Sequence, residues 1–90
     1  MIKSLHLIIK GRVQGVFFRA SAKRKAIELD IKGFARNLDD GSVEIVAQAE
    51  KDNLDLFVEW CKHGPQAAEV KEVLQKQLGS SSKYDTFSIK

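Results

Sequence analysis

The sequence contains one cysteine and one proline, and it has no long run of apolar residues. A lone Cys61 cannot form an internal disulfide, and the first ten residues lack the apolar core and cleavage site of a secretory signal. No apolar run approaches the roughly twenty residues that cross a bilayer, so we expect no membrane partner. These absences predict a soluble, cytoplasmic protein. Its 90 residues, 43% of them hydrophobic, are enough for a single domain over residues 1–90 and too few for two.

Charge of one sign is not concentrated anywhere in the chain. Fifteen lysines and arginines face twelve aspartates and glutamates, which leaves a formal charge of +3. The lysines are spread along the whole sequence, as on an ordinary solvated surface, whereas a nucleic-acid site favours clustered basic residues. The composition therefore predicts no nucleic-acid partner.

The spacing of apolar residues predicts an alternation of strands and helices. The predicted strands are residues 4–9, 33–38, 43–49 and 84–90, and the predicted helices are 20–29 and 52–61, the second capped by Asp52 or Asn53 and ended by Gly64-Pro65. Asp40-Gly41 predicts a hairpin turn, because glycine readily adopts the positive φ that such turns need. Residues 68–78 fit helical spacing better than strand alternation, and 79–82 predict a loop. This order is typical of a split β-α-β unit, in which both helices pack on one face of an antiparallel sheet.

The stretch GRVQGVFFRA, residues 11–20, connects the first strand to the first helix. The amide groups at a helix N-terminus carry partial positive charge and favour an anion. Gly11 and Gly15 allow the backbone to curl into a nest of N–H donors, and Arg19 can add a planar fork of donors suited to phosphate. The alternative is a tight turn followed by a solvated arginine, and this spacing alone does not decide between them.

Other phosphate and metal chemistries lack the residues they need. There is no G-x-x-x-x-G-K-[ST] motif of nucleotide-hydrolysing enzymes. Cys61 lies on the apolar face of its helix, which is typical of a small core residue rather than a nucleophile. His63 lies in the last helical turn, where it favours the helix dipole, and His6 has no partner at metal-ligand spacing.

Three segments of the chain, GRVQGVFFR, ARNLDDGSVEI and GPQAAEV, resemble the acylphosphatase family, whose patterns are G-x-V-Q-G-V-x-F-R and G-[FYW]-[AV]-x-N-x-x-[DN]-G-x-V. The resemblance covers essentially the whole chain. It implies an α+β fold, the ferredoxin-like sandwich of order βαββαβ with an antiparallel sheet and two helices on one face. It also implies that residues 68–78 are a strand despite their helical spacing, since tertiary pairing routinely overrides local preference.

The resemblance further implies a metal-independent hydrolase that needs no cofactor and acts on acyl phosphates such as acetyl phosphate. The oligomeric state stays open, with monomer as the default. Arg19 and Asn37 would be catalytic, Arg19 gripping the phosphoryl group and Asn37 positioning the attacking water. The substrate-binding residues would be Gln14, Gly15, Val16, Phe17, Phe18 and Arg19. Such a reaction needs no general acid, because the departing carboxylate has a pKa near 4 and leaves unprotonated at neutral pH.

Two other functions remain open from the residues alone. A ferredoxin-like fold also serves non-catalytic anion- or RNA-binding modules, although an RNA-binding sheet favours aromatics in its central strands and here Phe34 stands alone. The second alternative is an acylphosphatase-like accessory domain of a larger carbamoyl-transfer enzyme. Three positions differ from residues that are common in the family, namely Asp30 at the helix end, Ala35 where valine is frequent and Ala49 where glycine is common. We expect them to affect stability more than chemistry.

Overall fold

A computed structural model describes residues 1–79 and 83–90, and residues 80–82 of the predicted loop lie outside the described residues. The elements are β1 (Ile2–Arg12), α1 (Phe18–Glu28), β2 (Lys32–Asn37), β3 (Val43–Glu50), α2 (Lys51–Cys61), β4 (Glu69–Leu78) and β5 (Phe87–Ile89). The strands form one sheet in the order β4-β1-β3-β2-β5. This arrangement confirms the ferredoxin-like α+β fold.

The sheet is mixed rather than wholly antiparallel. β1 pairs antiparallel with β3 and β4, and β2 pairs antiparallel with β3, but β5 runs parallel to β2. β4 and β5 lie at opposite edges of the sheet. Because the chain crosses the sheet between them, no tight hairpin forces the last strand to be antiparallel to its neighbour.

Residues 69–78 form β4, which confirms the strand implied by the resemblance and contradicts the helical spacing. The pairing of β4 with β1 shifts register between Lys10 and Gly11. Gly11 has a φ of +128°, and a Cβ there would lie 2.2 Å from the carbonyl oxygen of Glu69. The close approach of the two backbones therefore requires glycine at this bulge. Long-range pairing with β1 outweighs the local periodicity of the segment.

Both helices pack on the same face of the sheet, as predicted. The buried cluster contains Phe18, Ala22 and Ala26 from α1, Leu54, Phe57, Val58 and Cys61 from α2, and Leu7, Ile9, Val43 and Ile45 from the central strands. Burial raises the pKa of the Cys61 thiol, which fits a core residue and not a nucleophile. Over the part of the chain that the structure describes, no helix is long and apolar enough to cross a bilayer.

The helix ends partly follow the sequence. Asp30, after α1, has a φ of +56°, so aspartate takes the left-handed conformation at this helix end. The predicted cap of α2 by Asp52 or Asn53 is wrong. α2 begins at Lys51, and Glu50 in the N-cap position makes no side-chain capping bond. Since β3 runs directly into α2, no loop precedes the helix, and Asp52 instead places negative charge in its first turn.

Candidate active site

The loop of residues 13–17, between β1 and α1, curls between two buried anchors. Val13 and Phe18, at its two ends, are each 1% exposed, and the Phe18 ring packs against Trp60 with ring centroids 5.4 Å apart. Between these anchors Gly15 and Phe17 have φ values of +74° and +63°, both in the left-handed region. The anchors and the two left-handed residues fix the curled path of the backbone.

The backbone N–H groups of this loop are free to bind a ligand. Within residues 1–79 and 83–90, no acceptor takes a hydrogen bond from the N–H of Gly15, Val16, Phe17 or Phe18. Phe17 is the N-cap residue of α1, and no side chain caps the helix there. Partial positive charge at this helix end is therefore left unneutralised, which favours a bound anion.

Arg19 lies in the first turn of α1, beside the loop. Its side chain is partly buried, and Nη1 donates a hydrogen bond of 2.8 Å to the main-chain oxygen of Lys90, just beyond β5. No other acceptor among the described residues takes a hydrogen bond from the guanidinium. The contact with Lys90 therefore orients the guanidinium while leaving most of its five N–H groups available to an anion.

Asn37 is the last residue of β2 and is exposed. It lines the same concavity as Arg19 and the loop, a cavity of about 310 Å³ whose remaining walls are Val13, Gly15, Phe17, Phe18, Ala20 and Ile89. The volume is at the lower end of the roughly 300–1,000 Å³ typical of small-molecule sites. Of these lining residues Arg19 is the one with an ionisable side chain, so the side chains that line the cavity carry a positive charge and include no carboxylate or imidazole.

The structure brings most of the site residues named from the sequence to this one cavity. Gly15, Phe17, Phe18, Arg19 and Asn37 all line it. Two others do not. Val16 is partly buried and packs against the core, and the Gln14 side chain is turned toward the hairpin between β2 and β3.

The sequence of residues 5–89 matches the Acylphosphatase family model, in agreement with the architecture and the loop motif. The chain belongs to the acylphosphatase family. An acylphosphatase from Marinobacter nauticus is 45% identical over 86 residues, covering 96% of this chain and 94% of the relative. The family is one of hydrolases, so the chain is an enzyme that hydrolyses acyl phosphates.

Solved acylphosphatases have nearly the same backbone. The acylphosphatase of Coxiella burnetii superposes with a TM-score of 0.94 at 37% identity, over 99% of this chain and 93% of that one. The acylphosphatase of Bacillus subtilis gives a TM-score of 0.93 at 35% identity, over 99% and 98% of the two chains. The mixed five-stranded sheet thus belongs to the acylphosphatase fold.

Sequence reasoning missed two residues that line the acylphosphatase cavity, Ala20 and Ile89. Val13 lies inside the loop motif and Ala20 directly follows it, so the position of Ala20 beside the motif is the signal that would have found it. Ile89 has no local signal, because its place in the site depends on β5 joining the sheet beside β2. Among the described residues no group of three or more His, Cys, Asp or Glu side chains is placed to hold a metal ion.

Proposed function

We propose that residues 1–90 act as a single acylphosphatase domain in which Arg19 and the loop amides hold the phosphoryl group and Asn37 positions the attacking water. The observation that supports this most strongly is the content of one cavity. It combines unpaired N–H donors at a helix N-terminus, one guanidinium and one exposed carboxamide, with no other ionisable side chain.

The binding step uses the positive end of α1. The phosphoryl oxygens accept hydrogen bonds from the N–H groups of residues 15–18 and from the guanidinium of Arg19. These donors are fixed in place before the substrate arrives, because Val13 and Phe18 are buried and Arg19 is held by Lys90. Preorganised donors stabilise the charge of the transition state without rearranging during the reaction.

The chemical step is a displacement at phosphorus. The carboxamide of Asn37 can accept and donate hydrogen bonds, so it suits a water held in line with the leaving group. The water oxygen forms a bond to phosphorus and the phosphorus bond to the acyl oxygen breaks. The products are a carboxylate and dihydrogen phosphate, which keeps both protons of the water. Because the carboxylate leaves without a proton, the lack of an acidic group among the lining residues is no obstacle.

The acyl part of the substrate points away from the donors. Phe17 is 81% exposed and Ile89 is 42% exposed, and both line the cavity. They give the cavity an exposed apolar rim in addition to its guanidinium, which matches a ligand with one charged and one uncharged end. We place the acyl group against this rim, and we propose that the enzyme is a cytoplasmic monomer that acts without metal, cofactor or nucleic acid.

The test of this function is hydrolysis of benzoyl phosphate. We expect turnover in the presence of EDTA, competitive inhibition by inorganic phosphate, and no cleavage of p-nitrophenyl phosphate, whose leaving group is less stable as an anion. Cleavage of both substrates at similar rates would indicate a general phosphatase. Phosphate binding without turnover would indicate an anion-binding module.

Asn37→Ala separates binding from chemistry. We expect kcat to fall by about 10²- to 10³-fold, as when other transition-state donors are lost, while the inhibition constant of phosphate stays within about threefold. Asn53→Ala, on α2, is the matched control and should leave both constants unchanged. A normal kcat in Asn37→Ala would show that the carboxamide does not position the water.

A further inference from the structure

The two halves of the proposed site belong to strands that are not neighbours. The loop and Arg19 follow β1, whereas Asn37 ends β2, and β3 lies between these strands in the sheet. The last connection through the ladder is Val43, which pairs with Ile9 of β1 on one side and with Asn37 on the other. The loop after β1 and the 38–42 turn after β2 both lie beyond this last row, at which β3 pairs with β1 on one side and with β2 on the other.

One side chain bridges this gap. Nε2 of Gln14 donates hydrogen bonds of 2.7 Å to the carbonyl oxygen of Leu38 and 2.9 Å to that of Ser42. Both partners are carbonyl oxygens, so they require the amide nitrogen on this side and fix the orientation of the carboxamide. Gln14 is partly buried, and its two N–H groups are fully used by these two bonds.

The two carbonyls are the ends of the turn that follows Asn37. The turn is closed by hydrogen bonds from Leu38 N to Ser42 O, 2.8 Å, and from Gly41 N to Leu38 O, 3.2 Å. It is tightened by Asp40, whose carboxylate accepts hydrogen bonds from the N–H and the hydroxyl of Ser42, and these bonds lower the pKa of Asp40. Gln14 is therefore hydrogen-bonded to both ends of a turn with its own internal hydrogen bonds, and Asn37 directly precedes Leu38, one of its two partners.

We propose that Gln14 is a positioning residue for the reaction, which sets the spacing between the phosphoryl-binding loop and Asn37 through its side chain. This inference rests on the proposed role of Asn37. The Gln14 side chain does not line the cavity and touches no substrate. Its effect on catalysis passes through the carboxamide of Asn37, because in-line attack loses about 10²-fold in rate for a displacement near 1 Å.

The test is a double-mutant cycle between Gln14→Met and Asn37→Ala. The methionine side chain has nearly the length of the glutamine side chain but cannot donate a hydrogen bond, and the backbone N–H of residue 14 is kept. We expect Gln14→Met alone to lower kcat by about 10- to 100-fold and to change phosphate inhibition by less than about threefold. In the Asn37→Ala background the same substitution should lower kcat by less than about twofold, since residues that act as a unit are not additive. Gln75→Met, on exposed β4, is the matched control.

The outcomes separate the two proposals. If Asn37→Ala is impaired and Gln14→Met lowers kcat equally in both backgrounds, Gln14 acts only on the fold and the inference is overturned. An unchanged kcat in Gln14→Met overturns it as well. A normal kcat in Asn37→Ala contradicts the proposed function itself, and the inference is overturned together with it.

Gln14→Glu gives a second test that does not depend on the methionine variant folding. An ionised glutamate faces two carbonyl oxygens without a donor, whereas a protonated one regains a single donor. Relative to wild type, its kcat should therefore recover several-fold between pH 7 and pH 4, which crosses the usual glutamate pKa of about 4.3. A ratio that stays flat across this range would overturn the positioning role.

Discussion

Replacement of Arg19 by lysine tests the proposed phosphoryl grip with the least change in charge. In the wild-type structure Nη1 is bound to the main-chain oxygen of Lys90, and the rest of the planar fork faces the cavity. A lysine ammonium keeps the positive charge but has no fork, so it cannot hold Lys90 and make a two-point contact with phosphate in the same geometry. We therefore expect the loss of at least one charged hydrogen bond to the ligand.

The size of the effect follows from that lost bond. A hydrogen bond to a charged group contributes about 1.5–3 kcal/mol, and 1.36 kcal/mol corresponds to tenfold, so phosphate inhibition should weaken by about 10- to 160-fold. kcat/KM for benzoyl phosphate should fall further, by about 10²- to 10³-fold, because the donors matter most in the transition state.

The assay is steady-state hydrolysis of benzoyl phosphate, with inorganic phosphate titrated as inhibitor. Arg24→Lys is the matched control, since Arg24 is an exposed residue of the same helix outside the cavity and should tolerate the change. If Arg19→Lys keeps both constants within threefold of wild type, a point charge is sufficient and the argument for a planar fork is wrong.

Three further predictions concern stability and reactivity. A Cβ at Gly33 would lie 1.8 Å from a carbonyl oxygen of β3, so Gly33→Ala should lower the free energy of unfolding, measured in urea, by about 3 kcal/mol. Gly41→Ala is the control, because its Cβ would meet no atom within 4 Å, and it should lose only about 1–2 kcal/mol. Equal losses in the two variants would contradict the argument from the close backbone contact. Hydrogen bonds from His6 and Arg36 lower the pKa of Glu44 in the folded protein. The ionised Glu44 therefore contributes its full stabilisation of the fold above its unfolded pKa of about 4.5, and this contribution is lost as the pH falls through the lower folded pKa. The Tm difference between wild type and Glu44→Gln should accordingly be larger at pH 7 than at pH 3. A difference that stays the same at both pH values would refute the stabilising role of the ionised Glu44. The buried Cys61 should react with an aromatic disulfide reagent only at the rate of unfolding, whereas immediate labelling of the native protein would show that it is accessible.

The sequence predicts the strands and helices whose burial is local. Leu7 and Ile9 alternate into the core and Ala22 and Ala26 repeat one helical turn apart, and these spacings alone indicate β1 and α1. β4 is different, because most of its side chains are exposed at a sheet edge and its strand conformation is imposed by hydrogen bonds to β1. The direction of β5 is likewise set by a partner strand and leaves no local pattern.

The same division holds for the candidate site. The curled loop and Arg19 are encoded by neighbouring residues, since Gly15 supplies the left-handed backbone and α1 supplies the positive end. The contact between Gln14 and the turn joins residues 24 and 28 positions apart, and no spacing rule predicts it. Ile89 reaches the cavity only through the three-dimensional order of the strands.

The hydrogen bond between Arg19 and Lys90 spans 71 positions of the chain. During synthesis, the guanidinium emerges long before the oxygen that orients it, and the seven elements from β1 to β5 have all been made by the time the pair can meet. Contacts of such wide separation form slowly, because the chain must first close a long loop. Recovery of turnover during refolding should therefore lag behind the return of helical circular dichroism, which makes enzymatic activity a reporter of a long-range contact that forms after the helices.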